Sequence, residues 1–134
     1  MLTRRGRAAL HALAVYETLF ALSAVVGGIG LMARAPGFDL PTADLAPLGL
    51  HSWVLPGAAL AVAIGGVLGL AAAVAWRTDR RAPYFAYAAC AVLVGWLAIQ
   101  FTVIGAHQPA QWMTVAMAGL LAVLGRYTQR VVGA

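Results

Sequence analysis

Four apolar runs, each near the length of a membrane-crossing helix, constrain this chain more than any other feature. They cover about residues 8–33, 53–76, 84–104 and 109–126. A helix needs about 20 apolar residues to cross roughly 30 Å of hydrocarbon. Strands are excluded by pattern: a spanning strand needs a closed barrel and alternation with a period of two, and the runs have neither. Composition points the same way. The chain is 63% hydrophobic and 10% charged, whereas a soluble domain is about a quarter charged. A globule of 134 residues with so few polar side chains cannot cover its surface in water. A soluble enzyme, a disordered chain and a secreted disulfide scaffold are therefore excluded. The single cysteine, Cys90, has no second cysteine to bridge to.

The connections set the topology. Arg77–Pro83 is a short charged turn, and its proline suits the first turn of the next helix. Gly105–Pro109 is a second short link with proline at a helix start. Short links make consecutive helices antiparallel neighbours. The stretch 34–52 differs: it holds Pro36, Pro41 and Pro47 with Asp39 and Asp44, and reads as an extracytoplasmic surface loop. The fold class expected is an all-α integral membrane antiparallel four-helix bundle, one domain over residues 1–134.

Orientation follows from arginine placement. With four spans, Arg4, Arg5, Arg7, Arg77, Arg80, Arg81, Arg126 and Arg130 fall on one side, and only Arg34 on the other. Cytoplasmic loops carry the excess of basic residues, so both termini are expected in the cytoplasm, in a cell inner membrane. The formal charge of +5 does not mark a nucleic-acid binder, because the arginines form short clusters between apolar runs and not a continuous basic face. The first run reads as a span and not as a cleaved signal peptide: it exceeds the usual 7–15-residue core, Glu17 interrupts it, and no small-residue cleavage site follows.

Small residues at spacings of three and four mark close helix contacts in lipid. The second run has Ala61, Gly65, Gly69 and Ala73; the first has Ala21, Ala24 and Gly28; the third has Ala88, Ala91 and Gly95. Packing within the chain is the favoured reading of these stripes. A dimerisation face through Gly65 and Gly69 is the alternative. Trp53, Trp76, Trp112, Tyr84 and Tyr127 sit near span ends, as interfacial aromatic belts do.

Glu17 is the most informative position. Acids inside a span are costly and tend to face the bundle interior, and on a helix Glu17 shares a face with Ala21, Ala24 and Gly28. Three readings stay open: a proton or cation site, a site for a polar group of a small molecule, or a structural hydrogen bond to a neighbouring helix. Tyr16 and Tyr87 are candidate partners from the inner half. Gln100 and Thr102 are the polar residues in the outer part of the third run, and Ser23 lies between Glu17 and Gln100 in depth.

Other chemistry finds little footing. His51, His107, Asp39 and Asp44 lie on the outer side without a recognised metal spacing. His11 has no histidine at matching depth, so no haem is expected. A lone thiol in an apolar run cannot run dithiol chemistry. No cofactor is expected. The chain leans toward a non-enzymatic role, and an intramembrane enzyme acting on lipid or quinone through Glu17, Tyr16 and Tyr87 stays open as a third reading.

Gly27-Gly28, Leu55-Pro56-Gly57, Gly95-Trp96 with Gln100, Ile104-Gly105 and Gln111-Trp112 together resemble the pattern of small uncharacterised four-span membrane proteins of actinobacterial type. The resemblance covers about two thirds of the chain. It implies a fold and brings no activity with it. In size and span count the chain is also similar to DoxX-like proteins, without a residue-by-residue match to their polar motifs. The expected function is a non-enzymatic accessory or oligomeric scaffold subunit. The alternative is a small oligomeric transporter, channel or small-molecule-binding bundle using Glu17. The expected partners are the lipid bilayer and either a second copy or another membrane protein, with no nucleic acid.

Overall fold

The computed structural model describes residues 2–33, 54–103 and 109–133. They form four helices and, among the described residues, no strand. Helix α1 is Arg4–Ala33. Helix α2 joins three consecutive stretches: α-helical Val54–Ala59, π-helical Leu60–Ile64 and α-helical Gly65–Trp76. Helix α3 is Ala82–Val103 and α4 is Pro109–Val132. Three of them, α1, α2 and α3, are long and apolar enough to cross a bilayer. The fourth carries Arg126 and Arg130 in its second half, and so has the weakest claim by composition.

Local chemistry sets the ends. Thr3 Oγ1 accepts the Gly6 N–H at 2.9 Å, a side-chain N-cap that satisfies one of the free amides of the first turn. The helix thus begins ahead of the apolar run at residue 8, because arginines are good helix formers outside hydrocarbon. Proline occupies the first turn of α3 (Pro83) and the first position of α4 (Pro109), where its missing N–H costs nothing. At the end of α2 the Thr78 N–H bonds Ala75 O at 2.9 Å and the Asp79 N–H reaches Val74 O at 3.4 Å. This is a Schellman closure, with Thr78 at φ 53° in the left-handed position usually held by glycine.

The helices pack in a ring. Helix α1 lies against α2 and α4, and α3 against α2 and α4. Leu10, Leu13, Ile64, Leu68, Leu93 and Leu121 are fully enclosed, and Ala14, Ala75, Ala82, Ala86 and Ala89 fill the spaces between them. Alanine at so many buried positions lets the helix axes approach closely. The buried side of α4 is a regular stripe of Gln111, Ala118, Leu121, Gly125, Thr128 and Val132, at the three-and-four spacing of a helix face.

The tightest approach is between α1 and the start of α2. A methyl group on Gly28 would collide with Gly57 O and come within 2.7 Å of Ala61 Cβ. One on Gly57 would meet Gly28 O at 2.5 Å. The next contact along is Gly65, where a Cβ would fall 2.9 Å from Val25 Cγ2. The π-helical segment lies between these two contacts. The outward surface of the bundle is largely apolar, with Leu19, Val26, Leu70, Val94, Ile99 and Leu120 all exposed.

Candidate functional site

Glu17 sits midway along α1 on the side that faces the other helices, and none of its surface is exposed. Its neighbours on the same face, Leu13, Phe20 and Ala24, are buried core residues. Neither carboxyl oxygen has a hydrogen-bond partner among the described residues. Enclosing an acid this way costs on the order of a few kcal/mol, more if it is ionised.

The polar groups at this depth are directed elsewhere. The Tyr16 hydroxyl donates to Met117 O at 2.5 Å, and its ring meets Phe20 edge-on at 6.1 Å. The Cys90 thiol donates to Ala118 O at 3.6 Å. Both donors therefore serve successive carbonyls of α4 and leave the carboxyl with acceptor capacity unused. Chemically the carboxyl can hold a proton, and its oxygens can accept from any donor brought to them.

The remaining polar residues singled out in the sequence do not converge on Glu17. The Tyr87 hydroxyl donates to Gln129 Oε1 at 2.6 Å and ties α3 to α4. Thr102 Oγ1 donates back to Ala98 O at 2.8 Å, a local bond within α3. Gln100 is half-buried on α3, and Ser23 is exposed on α1. The small residues divide into two groups. Gly28, Ala61 and Gly65 lie in the α1/α2 contact, while Gly69 and Gly95 have open space where a side chain would be. His51, His107, Asp39 and Asp44 lie outside the described residues.

A second feature was not singled out from the sequence. Helices α1 and α2 leave a groove of about 260 Å³ between Thr18, Leu22 and Val25 on one side and Gly69, Ala73 and Trp76 on the other. The Trp76 indole N–H donates to Thr18 Oγ1 at 2.9 Å across one end. His11 packs on the same indole with ring centroids 5.9 Å apart. The signal was present in the spacing of Arg4, His11 and Thr18, which recur every seven residues and so share one helix face.

Just past Trp76, Asp79 accepts from Arg81 Nε at 3.2 Å, Arg81 Nη2 at 3.0 Å and the Arg81 backbone N–H at 2.9 Å. These bonds, the side-chain ones foremost, hold the Asp79 carboxyl below the usual carboxylate range. Among the described residues no three His, Cys, Asp or Glu side chains are grouped as metal ligands. Comparison with family models, with curated proteins and with solved structures finds no match to this chain.

Proposed function

We propose that the chain is a small multi-pass protein of the inner membrane that acts as a non-enzymatic accessory or oligomeric scaffold subunit. In this reading the helices are antiparallel and both termini are cytoplasmic. The arginine distribution supports that orientation. The pairing of Thr18 with Trp76 and of Gly28 with Gly57 supports opposite running of α1 and α2. The apolar outer surface suits hydrocarbon and not water.

One observation carries the scaffold reading. Ala88, Ala91, Gly95, Ala98 and Thr102 are all exposed, and their spacing places them in one stripe down α3. A surface meant only for lipid has no need of small residues, whereas a helix–helix contact does. The occupant of that stripe is a second copy or another membrane protein. The test is purification in mild detergent with cross-linking, comparing wild type with Gly95→Leu. The expected result is an oligomer or a retained partner that the substitution releases. A wild-type monomer without a partner counts against the reading.

Glu17 favours a second reading, a bundle that binds a proton or a small polar ligand. Its enclosed carboxyl is not consumed by any partner among the described residues. Proton-driven flux into vesicles holding wild type or Glu17→Gln tests it. Equal flux with equal folding removes Glu17 from any transport role.

A further inference from the structure

The face of α1 that carries Arg4, Arg7, His11, Thr18, Leu22 and Val25 changes character along its length, from cationic to polar to apolar. Its apolar end forms one wall of the groove, and Gly69, Ala73 and Trp76 of α2 form the other. Arg77 follows Trp76 directly and is exposed, as are Arg7 and His11. Arg81, by contrast, is already paired with Asp79 at 3.0 Å. Past the Trp76 end of the groove, Arg77 and Arg7 thus offer guanidinium charge without an ion-pair partner among the described residues; the indole–imidazole contact comes next and the open apolar channel beyond. That sequence of surfaces matches an anionic amphiphile.

From Gly69 to Trp76 a helix advances about 10 Å, about two thirds of a leaflet that is half of the roughly 30 Å core, so the channel takes the headgroup-proximal part of an acyl chain. Glycine and alanine floor the channel, and at Gly69 nothing lies within 4 Å of where a Cβ would be, so a methylene chain can lie against backbone. Trp76 is held by Thr18 and His11 at the level where an indole prefers the headgroup boundary. Basic residues between helices at the cytoplasmic surface are a recognised way of holding anionic headgroups.

We propose that this groove is a binding site for an anionic phospholipid of the inner leaflet. One acyl chain lies over Gly69 and Ala73, and the headgroup phosphate lies against Arg77 and Arg7. The site rests on the membrane reading above, with the Trp76 end facing the cytoplasm.

Native mass spectrometry of the full chain in mild detergent tests it, using dioleoylphosphatidylglycerol and dioleoylphosphatidylcholine, which differ in the headgroup alone. Wild type is expected to retain the glycerol lipid about fivefold better for each arginine engaged. Arg77→Gln should lose about that factor. Gly69→Leu, which fills the channel, should reduce retention of both lipids, and Gly119→Leu on the open side of α4 should not. If Gly69→Leu fails to fold, Ala73→Leu, exposed on the same channel floor, replaces it. Equal retention of the two lipids by wild type overturns the site, as does a preference that Arg77→Gln leaves undiminished or a retention that channel filling leaves unchanged. Alkaline extraction separates the two failures. A chain released into the soluble fraction overturns the membrane reading itself, whereas an integral chain without lipid preference overturns the site alone.

Discussion

Gly28 of α1 and Gly57 of α2 are packed so closely that a methyl group on either would run into the carbonyl oxygen of the other. Close crossings of this kind are where Cα–H groups come to face carbonyl oxygens of a neighbouring helix. The crossing anchors the start of α2, and any side chain there must push the two backbones apart.

Gly28→Ala is accordingly expected to destabilise the fold by about 1–3 kcal/mol, the usual cost of overpacking. Gly119→Ala, where nothing lies within 4 Å, should be neutral or slightly stabilising. Thermal unfolding of both variants in one detergent measures the difference. Equal midpoints would contradict the contact.

Replacing Glu17 by an apolar side chain of similar length removes a buried group that has no partner among the described residues. Glu17→Met should therefore raise stability by about 1–3 kcal/mol, and Glu17→Gln should not. A Glu17→Met protein less stable than wild type would reveal an interaction that supports the fold.

Thr78 closes α2 in a left-handed conformation, at φ 53°. An L-residue with a Cβ pays about 1 kcal/mol there, and glycine does not. Thr78→Gly is expected to stabilise by about that amount. Helicity followed against temperature will show it, and a lower midpoint would mean that the Thr78 hydroxyl bond to Arg77 O, at 2.7 Å, outweighs the strain.

The Asp79–Arg81 pair has a pH signature of known sign. The folded-state pKa of Asp79 lies below its ordinary value of 3.8, so its contribution is complete above that value. It disappears as pH falls through the lower, folded value. Asp79→Asn should lower the midpoint slightly at neutral pH and low salt, and the gap should close in strong acid and at high salt. A gap that widens on acidification would reverse the assignment.

The all-helical architecture was legible because hydropathy alone demands it: runs at 8–33, 53–76 and 84–104 correspond to α1, α2 and α3. The helix ends were less so. Helix α1 starts at Arg4 and α4 runs on to Val132, since an apolar run measures hydrocarbon and helices continue past it on arginine, glutamine and threonine. The burial of Glu17 was legible from the small residues on its face. That Tyr16 and Cys90 donate to Met117 and Ala118 was not, because backbone carbonyls carry no mark in a sequence. The Thr78 turn was hidden for a related reason: threonine stands where glycine would have signalled it. The Trp76–Thr18 bond joins residues 58 positions apart, and no local pattern reports such a pairing.

The five residues Leu60–Ile64 wind more loosely than the helix on either side of them. Their wider turn takes up one residue more than ordinary helix would hold over the same angle. Deleting any one of them would let α2 continue with uniform pitch and leave both flanks in register, Gly57 still against Gly28 and Gly65 still against Val25. The same deletion in the regular helix between Gly65 and Trp76 would swing everything before it by about 100° and carry Gly57 off α1. A single lost codon is thus tolerated at the loose turn and not beyond it, and a homologue one residue shorter can be expected to carry its gap at this spot.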